Sequence, residues 1–336
     1  MTRTPLVQDN NDREEGMNGV FGVLIALLGG WVVTASAAYP ERPLRMIVSS
    51  APGGGPDIAS RLIAAQLSNQ IGQQVVVDNR LGGSGVIGME ALSRSTPDGY
   101  TFGQANFTTI NTNRILMPKL PYNADKAFEA LIFAYMSNNM LAVNNAMSIS
   151  SVADLIAYAK RNPGKLLYGA GAPGSSLHFC GALFNIMAGV DMTAVFYKAS
   201  SLAIPDAISG QIQLIYDNIN SLSQHTKVGR VRALGVTSPA RSPAFPDVPS
   251  IAESGVPGFQ VQPWAGFVAP AGMPRPVFAR LTSELQKAMA DQTVRARLAG
   301  MGLDPKGGTP ELFAEHIKSE LAKWSDVAKR ANIRLQ

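Results

Sequence analysis

Leu44-Arg45-Met46-Ile47-Val48 runs through Ser49 and Ser50 into A-P-G-G-G-P-D (51–57), and further along Val75-Val76-Val77 runs into N-R-L-G-G-S-G-V-I-G (79–88). Each is a β-like apolar run that ends in a glycine cluster opening a helix. Glycines at such a junction leave backbone N–H groups uncovered, and the helix N-terminus adds partial positive charge. Two such junctions in succession predict two anion-binding nests facing one cleft. They fix the class as α/β, and the same alternation recurs along the chain.

The spacing predicts a helix over 57–71, with Ile58, Leu62, Ile63, Leu67 and Ile71 on one face and Gly72 as its stop. The turn Thr96-Pro97-Asp98-Gly99 leads to a strand at 100–105. After Ser137-Asn138-Asn139 the alternation restarts, with Ser151 capping a helix over 152–161 and a strand at 166–168 entering G-A-G-A-P-G-S-S (169–176). Helices at 175–188 and 201–209 and strands at 193–197, 212–217 and 231–236 follow. A proline-rich stretch (239–257) returns to Trp264, and two amphipathic helices close the chain. The expected layout is two α/β lobes with mainly parallel sheets. Residues 39–138 and 263–336 form one lobe and 139–262 the other, with a ligand between them at the carboxyl ends of the strands.

Residues 20–33 are almost wholly apolar and lead into T-A-S-A-A, which reads as a secretory signal peptide cut after Ala37 or Ala38. The segment is shorter than the roughly 20 residues of a membrane span. Its leader is acidic rather than basic, which leaves Met1 and Met17 both open as starts; a retained single-helix anchor is the alternative. Removal of 1–38 leaves 27 Lys and Arg against 20 Asp and Glu, scattered along the chain. That balance suits small anionic ligands and argues against nucleic acid. The single Cys180 lies in H-F-C-G-A-L-F and reads as a small core residue.

Gly83-Ser84-Gly85-Val86-Ile87-Gly88 matches a dinucleotide fingerprint, but Asn106 and Phe107 stand where a ribose-binding acid belongs, so no cofactor is expected. Neither Ser84 nor Ser175 sits in a nucleophile elbow. His178, His225 and His316 have no metal-ligand spacing; His178 is read either as a hydrogen-bonded first-turn residue or as a ligand contact. The third glycine loop adds Ser175 and Ser176 as hydroxyl donors, with Lys198 and Asp217 at neighbouring strand ends. Asp57 is open between capping its own helix and touching ligand.

These residues carry a resemblance. Y-P-E-R-P-L-R-M-I-V (39–48), A-P-G-G-G-P-D-I-A-S-R (51–61), N-R-L-G-G-S-G-V-I-G (79–88), P-D-G-Y-T (97–101), the run 246–259 and W-A-G-F-V-A-P-A-G-M-P (264–274) resemble, in order, the motifs of the tripartite tricarboxylate transporter substrate-binding proteins, or Bug receptors. The resemblance covers 39–336. It implies a non-enzymatic periplasmic receptor of the type II binding-protein fold, a monomer closing over a small organic carboxylate and serving membrane permease subunits, with no metal or cofactor. By position it points to Ala51, Gly54, Pro56, Asp57, Gly83 and Ser84 in the first lobe, and to Ser175, Ser176, His178 and Asp217 in the second. The family's aromatic residue before A-P-G-G-G is here Ser50, beside Ser49. Gly82-Gly83-Ser84-Gly85, Ala199 and Gln213 also depart from the pattern. A wider, wetter pocket edge follows from Ser50. Two rivals stay open: a ligand-presenting sensory partner of a membrane kinase, and an exported serine hydrolase using Ser175 or Ser84 with His178.

Overall fold

A computed structural model describes residues 1, 2, 4, 39–242 and 245–334. The leader expected at 1–38 therefore lies almost wholly outside the described residues. Residues 42–336 group as one unit. Within it the described residues form two sheets flanked by ten α-helices.

The six-stranded sheet opens with β1 (Leu44–Val48), β2 (Val75–Asn79) and β3 (Thr101–Asn106), and β1 pairs in parallel with both others. Between them run α1 (Gly55–Ile71) and α2 (Val86–Ser93). Pro56 occupies the first turn of α1, where a missing N–H costs nothing, and Gly72 ends the helix in the left-handed conformation at φ 68°. The sheet is completed by β4 (Phe128–Ser137), by β10 (Trp264–Pro270) and by β11 (Leu303–Pro305), in the order β11-β4-β10-β3-β1-β2.

The five-stranded sheet has the order β7-β6-β8-β5-β9. It contains β5 (Asn139–Asn144), β6 (Leu166–Ala170), β7 (Met192–Phe196), β8 (Leu214–Asn218) and β9 (Val231–Val236). Ser151 Oγ caps the helix Val152–Arg161 by accepting from the Asp154 N–H, as its spacing predicts. The helix Ser176–Ala188 ends at left-handed Gly189.

The expectation of mainly parallel sheets is corrected. Both sheets are mixed: β10 runs antiparallel to β3 and β4, and β5 antiparallel to β8 and β9. The cause is topological. The chain leaves the first sheet at the end of β4 and re-enters it at the start of β10, so the paired residues Met136 and Trp264 sit at the same end of strands running in opposite directions. Met140 and Val236 repeat that arrangement across β5 and β9.

The two sheets share one apolar core. Phe107, just after β3, Phe179 on the helix after β6, and Trp324 on the long closing helix Pro310–Arg330 meet edge to face, with centroids 5.2–5.9 Å apart. Cys180 is buried beside them with its thiol pushed up to about 12 by burial, an inert core position. Among the described residues no helix is long and apolar enough to cross a membrane.

Candidate functional site

A cleft of about 490 Å³ opens where β1, β2, β3 and β6 give out at their carboxyl ends. Four backbone segments form its wall on the first sheet's side: the loop after β1, the loop after β2, the turn after β3, and the crossing residues around Ser137 and Pro263. The second sheet contributes the loop after β6. Among the described residues Tyr135 is the sole ionisable side chain on the wall, and burial holds its hydroxyl above its ordinary range. The remaining polar lining consists of hydroxyls, amides and backbone, so anion binding here falls to dipoles rather than to a formal cation.

Of the residues singled out by sequence, the cleft brings together Ser50, Ala51, Pro56, Ser84, Ser175 and Ser176. Gly54, Gly83, Asp57, His178 and Asp217 do not line it. The reasons differ. In the loop after β1 the glycine N–H groups are largely committed internally: Gly53 N–H donates to Asp57 Oδ2 at 2.9 Å and Gly54 N–H to the Ala51 carbonyl at 3.1 Å. That nest is therefore tighter and less open than the glycine count suggests.

Asp57 is 2% exposed and accepts from the N–H of Gly53, which precedes its helix, so it holds the loop before the helix and does not cap the helix's own N–H groups. It also accepts from Arg61 Nε at 2.9 Å and Asn79 Nδ2 at 2.8 Å. Burial pushes its pKa up, but the bonds from Arg61, Asn79 and Gly53 outweigh it and hold the carboxyl below the usual range. The Asn79 amide also donates to the Ser50 carbonyl at 3.0 Å, so one asparagine at the end of β2 ties both glycine junctions together.

The loop after β2 carries the strain. Gly82, Gly83, Ser84 and Gly85 all have positive φ, and Ser84, at 54°, has a side chain in a conformation that glycine favours. Asn113 Nδ2 steadies this loop by donating to the Ser84 carbonyl at 2.9 Å. Gly88 admits Ser49, whose hydroxyl occupies the space a Cβ at 88 would fill.

His178 is the hydrogen-bonded first-turn residue of its helix. Its Nδ1 accepts from Gly174 N–H at 3.2 Å, its ring meets Phe196 edge to face, and burial lowers its pKa to about 4. Ser175 Oγ accepts from the His178 backbone N–H at 3.3 Å, so this serine meets the histidine's backbone and not its ring. Asp217, 3% exposed, accepts from Ser200 Oγ and Asn218 N–H through Oδ1, while Oδ2 has no partner. Lys198 is exposed and off the wall. No cluster of His, Cys, Asp and Glu among the described residues could hold a metal.

The sequence reading missed the wall after β3. Phe107–Thr112 winds as a wide π-type turn that Asn106 caps by accepting from Thr108 and Thr109 N–H, while Thr109 Oγ1 accepts from the Asn106 N–H. N-F-T-T (106–109) is a capping-box signature and carried the signal. Gln104, Tyr135 and Trp264 also line the cleft. Trp264 was marked only as the start of a motif, and nothing local marked Gln104 or Tyr135, which sit in strand interiors.

The comparisons with known proteins agree with this geometry. Residues 59–333 match the family described as tripartite tricarboxylate transporter family receptor. The chain is 32% identical to protein BugT of Bordetella pertussis, over 94% of this chain and 98% of BugT. It superposes on R. palustris Rpa4515 solved with adipate (TM-score 0.78, 35% identity, 88% of this chain and 99% of that one). It also superposes on MatC of Rhodopseudomonas palustris with bound malate (TM-score 0.73, 28% identity, 86% and 99%). The fold is that of the periplasmic solute-binding proteins, and the chain belongs to the tripartite tricarboxylate transporter receptor family.

Proposed function

We propose that this protein is an exported, non-enzymatic receptor that captures a small carboxylate-bearing ligand in the cleft and delivers it to membrane transporter subunits. The lobes 39–138 with 263–336 and 139–262 would close over the ligand as a monomer in the periplasm. The observation that carries this reading is the wall itself: neutral hydroxyls, amides and strained glycine backbone at the strand ends, with no imidazole ring hydrogen-bonded to a wall serine among the described residues. Adipate and malate, bound by two structural relatives, place carboxylates in the ligand class to be tested.

Charge-assisted hydrogen bonds contribute roughly 1.5–3 kcal/mol each. Micromolar affinity needs about 8 kcal/mol, which a few such bonds and burial of the ligand body supply. Thermal-shift screening of the mature protein against mono- and dicarboxylates should find stabilising ligands. Turnover of an ester or amide with no stabilisation by any acid would reject the receptor reading. Ser84→Asp tests the loop after β2: aspartate tolerates the left-handed backbone that Ser84 occupies, yet brings negative charge into the nest. Carboxylate affinity should fall at least about tenfold, a loss of ~1.4 kcal/mol, with little change in Tm.

A further inference from the structure

The long closing helix Pro310–Arg330 carries two stripes, and the chain covers one of them. Phe313, Trp324, Val327 and Ala328 are buried and hold the helix on the molecule. Ala314, Ile317, Lys318, Leu321, Ala322 and Ser325 recur at helical spacing beside them and line a cavity of about 620 Å³. The opposite wall is a sheet face. Phe128 and Ala130 share one side of β4, and Val268 on β10 pairs with Ala130. The Phe107–Thr112 turn, which walls the cleft through Phe107, Thr108 and Thr109, borders this second cavity through Ile110. Phe128, Ala130, Ile317 and Leu321 are only half-buried, so the hollow has apolar surface left to cover. Its volume lies in the range of small-molecule pockets, well above that of a packing void.

Three charged residues stand on the lining. Arg114 and Asp125 form an ion pair with each other. Lys318 is exposed and has no ion pair or hydrogen bond among the described residues. The lining therefore keeps one positive charge without a counter-charge. A cationic ligand would be repelled by it, and a dianion would bring a second charge against apolar walls. A neutral apolar body would fill the space without pairing the ammonium. The flexible stem of a lysine lies along apolar surface while its ammonium reaches a head group at the edge.

We infer that this cavity is a second binding site, for a small anionic amphiphile whose apolar body fills the space between helix and sheet and whose single negative head pairs with Lys318. The cavity and the cleft have no lining residue in common, so the inference does not depend on the carboxylate reading of the cleft.

The experiment is calorimetric titration of the mature protein with three probes that share one chain: octanoate, octanol and octyltrimethylammonium. Octanoate should bind saturably, at least about fivefold tighter than octanol, with octyltrimethylammonium the weakest. Ala322 is exposed on the helix and lines the cavity, so Ala322→Trp puts an indole into the space without entering the core. It should weaken octanoate at least about tenfold. Lys318→Glu, also at an exposed position, should remove the preference for octanoate over octanol while leaving octanol within about twofold. Ser84→Asp, in the cleft, should leave this octanoate binding within about twofold of wild type. Absence of saturable octanoate binding, or a preference over octanol that survives Lys318→Glu, would overturn the inference. So would octanoate binding that is lost in Ser84→Asp and kept in Ala322→Trp, which would place the probe in the cleft. Octanoate binding with no response to the short acids would uphold this inference and remove the carboxylate reading alone.

Discussion

Asp57 and Asp217 hold comparable stations beside strands of different sheets, each where a strand-end segment gives way to a helix, and they are finished in opposite ways. Both oxygens of Asp57 are answered, Oδ2 by a backbone N–H and a guanidinium and Oδ1 by an amide. Asp217 has one oxygen answered twice and the other not at all. Both are almost fully buried. The bonds to Asp57 outweigh its burial and lower its pKa, whereas burial dominates at Asp217 and raises it. The lesson concerns what a buried carboxylate near a binding cleft is for. A satisfied one is a strut that shapes the loop, and an unsatisfied one holds unspent bonding capacity at a cost in stability.

The strut should break hardest. Asp57→Ala leaves Gly53 N–H and the Asn79 amide without their acceptor and frees the loop 51–56, so unfolding in urea should show a loss of about 3 kcal/mol. The pH profile follows from the lowered pKa. The contribution of Asp57 is present above the ordinary carboxylate range and is lost as the pH falls through its depressed folded-state value, so Asp57→Ala should flatten the acid limb of the stability curve.

That contrast between the two aspartates was only half legible in the sequence. The junction glycines, the cap at Ser151 and the stops at Gly72 and Gly189 are local signals, and the structure places them as read. Polar and proline-rich residues near 138 and 262 interrupt the α/β rhythm, and the lobe boundaries read from them stay a proposal. Phe128–Ser137 carries no legible element in the sequence, since the apolar run from Ala130 to Met136 does not announce its period. The partners of Asp57 escaped for a different reason. Asn79 lies on the next strand, and only the parallel register that sets Val48 against Asn79 brings it to the first glycine loop. Gln104 is likewise one polar residue inside a strand, indistinguishable by pattern from an outward-facing one until Pro56, Ser60 and Tyr135 surround it.

Asp217→Asn sharpens the comparison from the other side, with a smaller effect of opposite sign. Asparagine keeps an oxygen for Ser200 and Asn218 and removes the charge that burial penalises. At pH 7 the variant should be more stable than wild type by about 1 kcal/mol. The raised folded-state pKa gives wild type a contribution that is fully present below the ordinary carboxylate range and fades as the pH rises through the folded value. The gain from Asp217→Asn should therefore appear at neutral pH and vanish in acid, which paired urea titrations at the two pH values would read. A loss of stability at pH 7 would mean that Oδ2 meets a donor in solution.

The smallest effect tests what makes Asp57 a strut. Arg61 supplies its formal counter-charge, yet the arginine side chain is 50% exposed while the aspartate is 2% exposed. Solvent screens such a pair, and the exposed guanidinium recovers hydration when the bond is lost. The buried donors, Gly53 N–H and the Asn79 amide, have no such recourse. Arg61→Gln should therefore cost less than about 1 kcal/mol, well below Asp57→Ala, and should leave carboxylate affinity close to wild type. Were Arg61→Gln to approach the cost of Asp57→Ala, the ion pair rather than the backbone and amide bonds would be holding the loop. The difference between the two aspartates would then reduce to whether an arginine stands nearby.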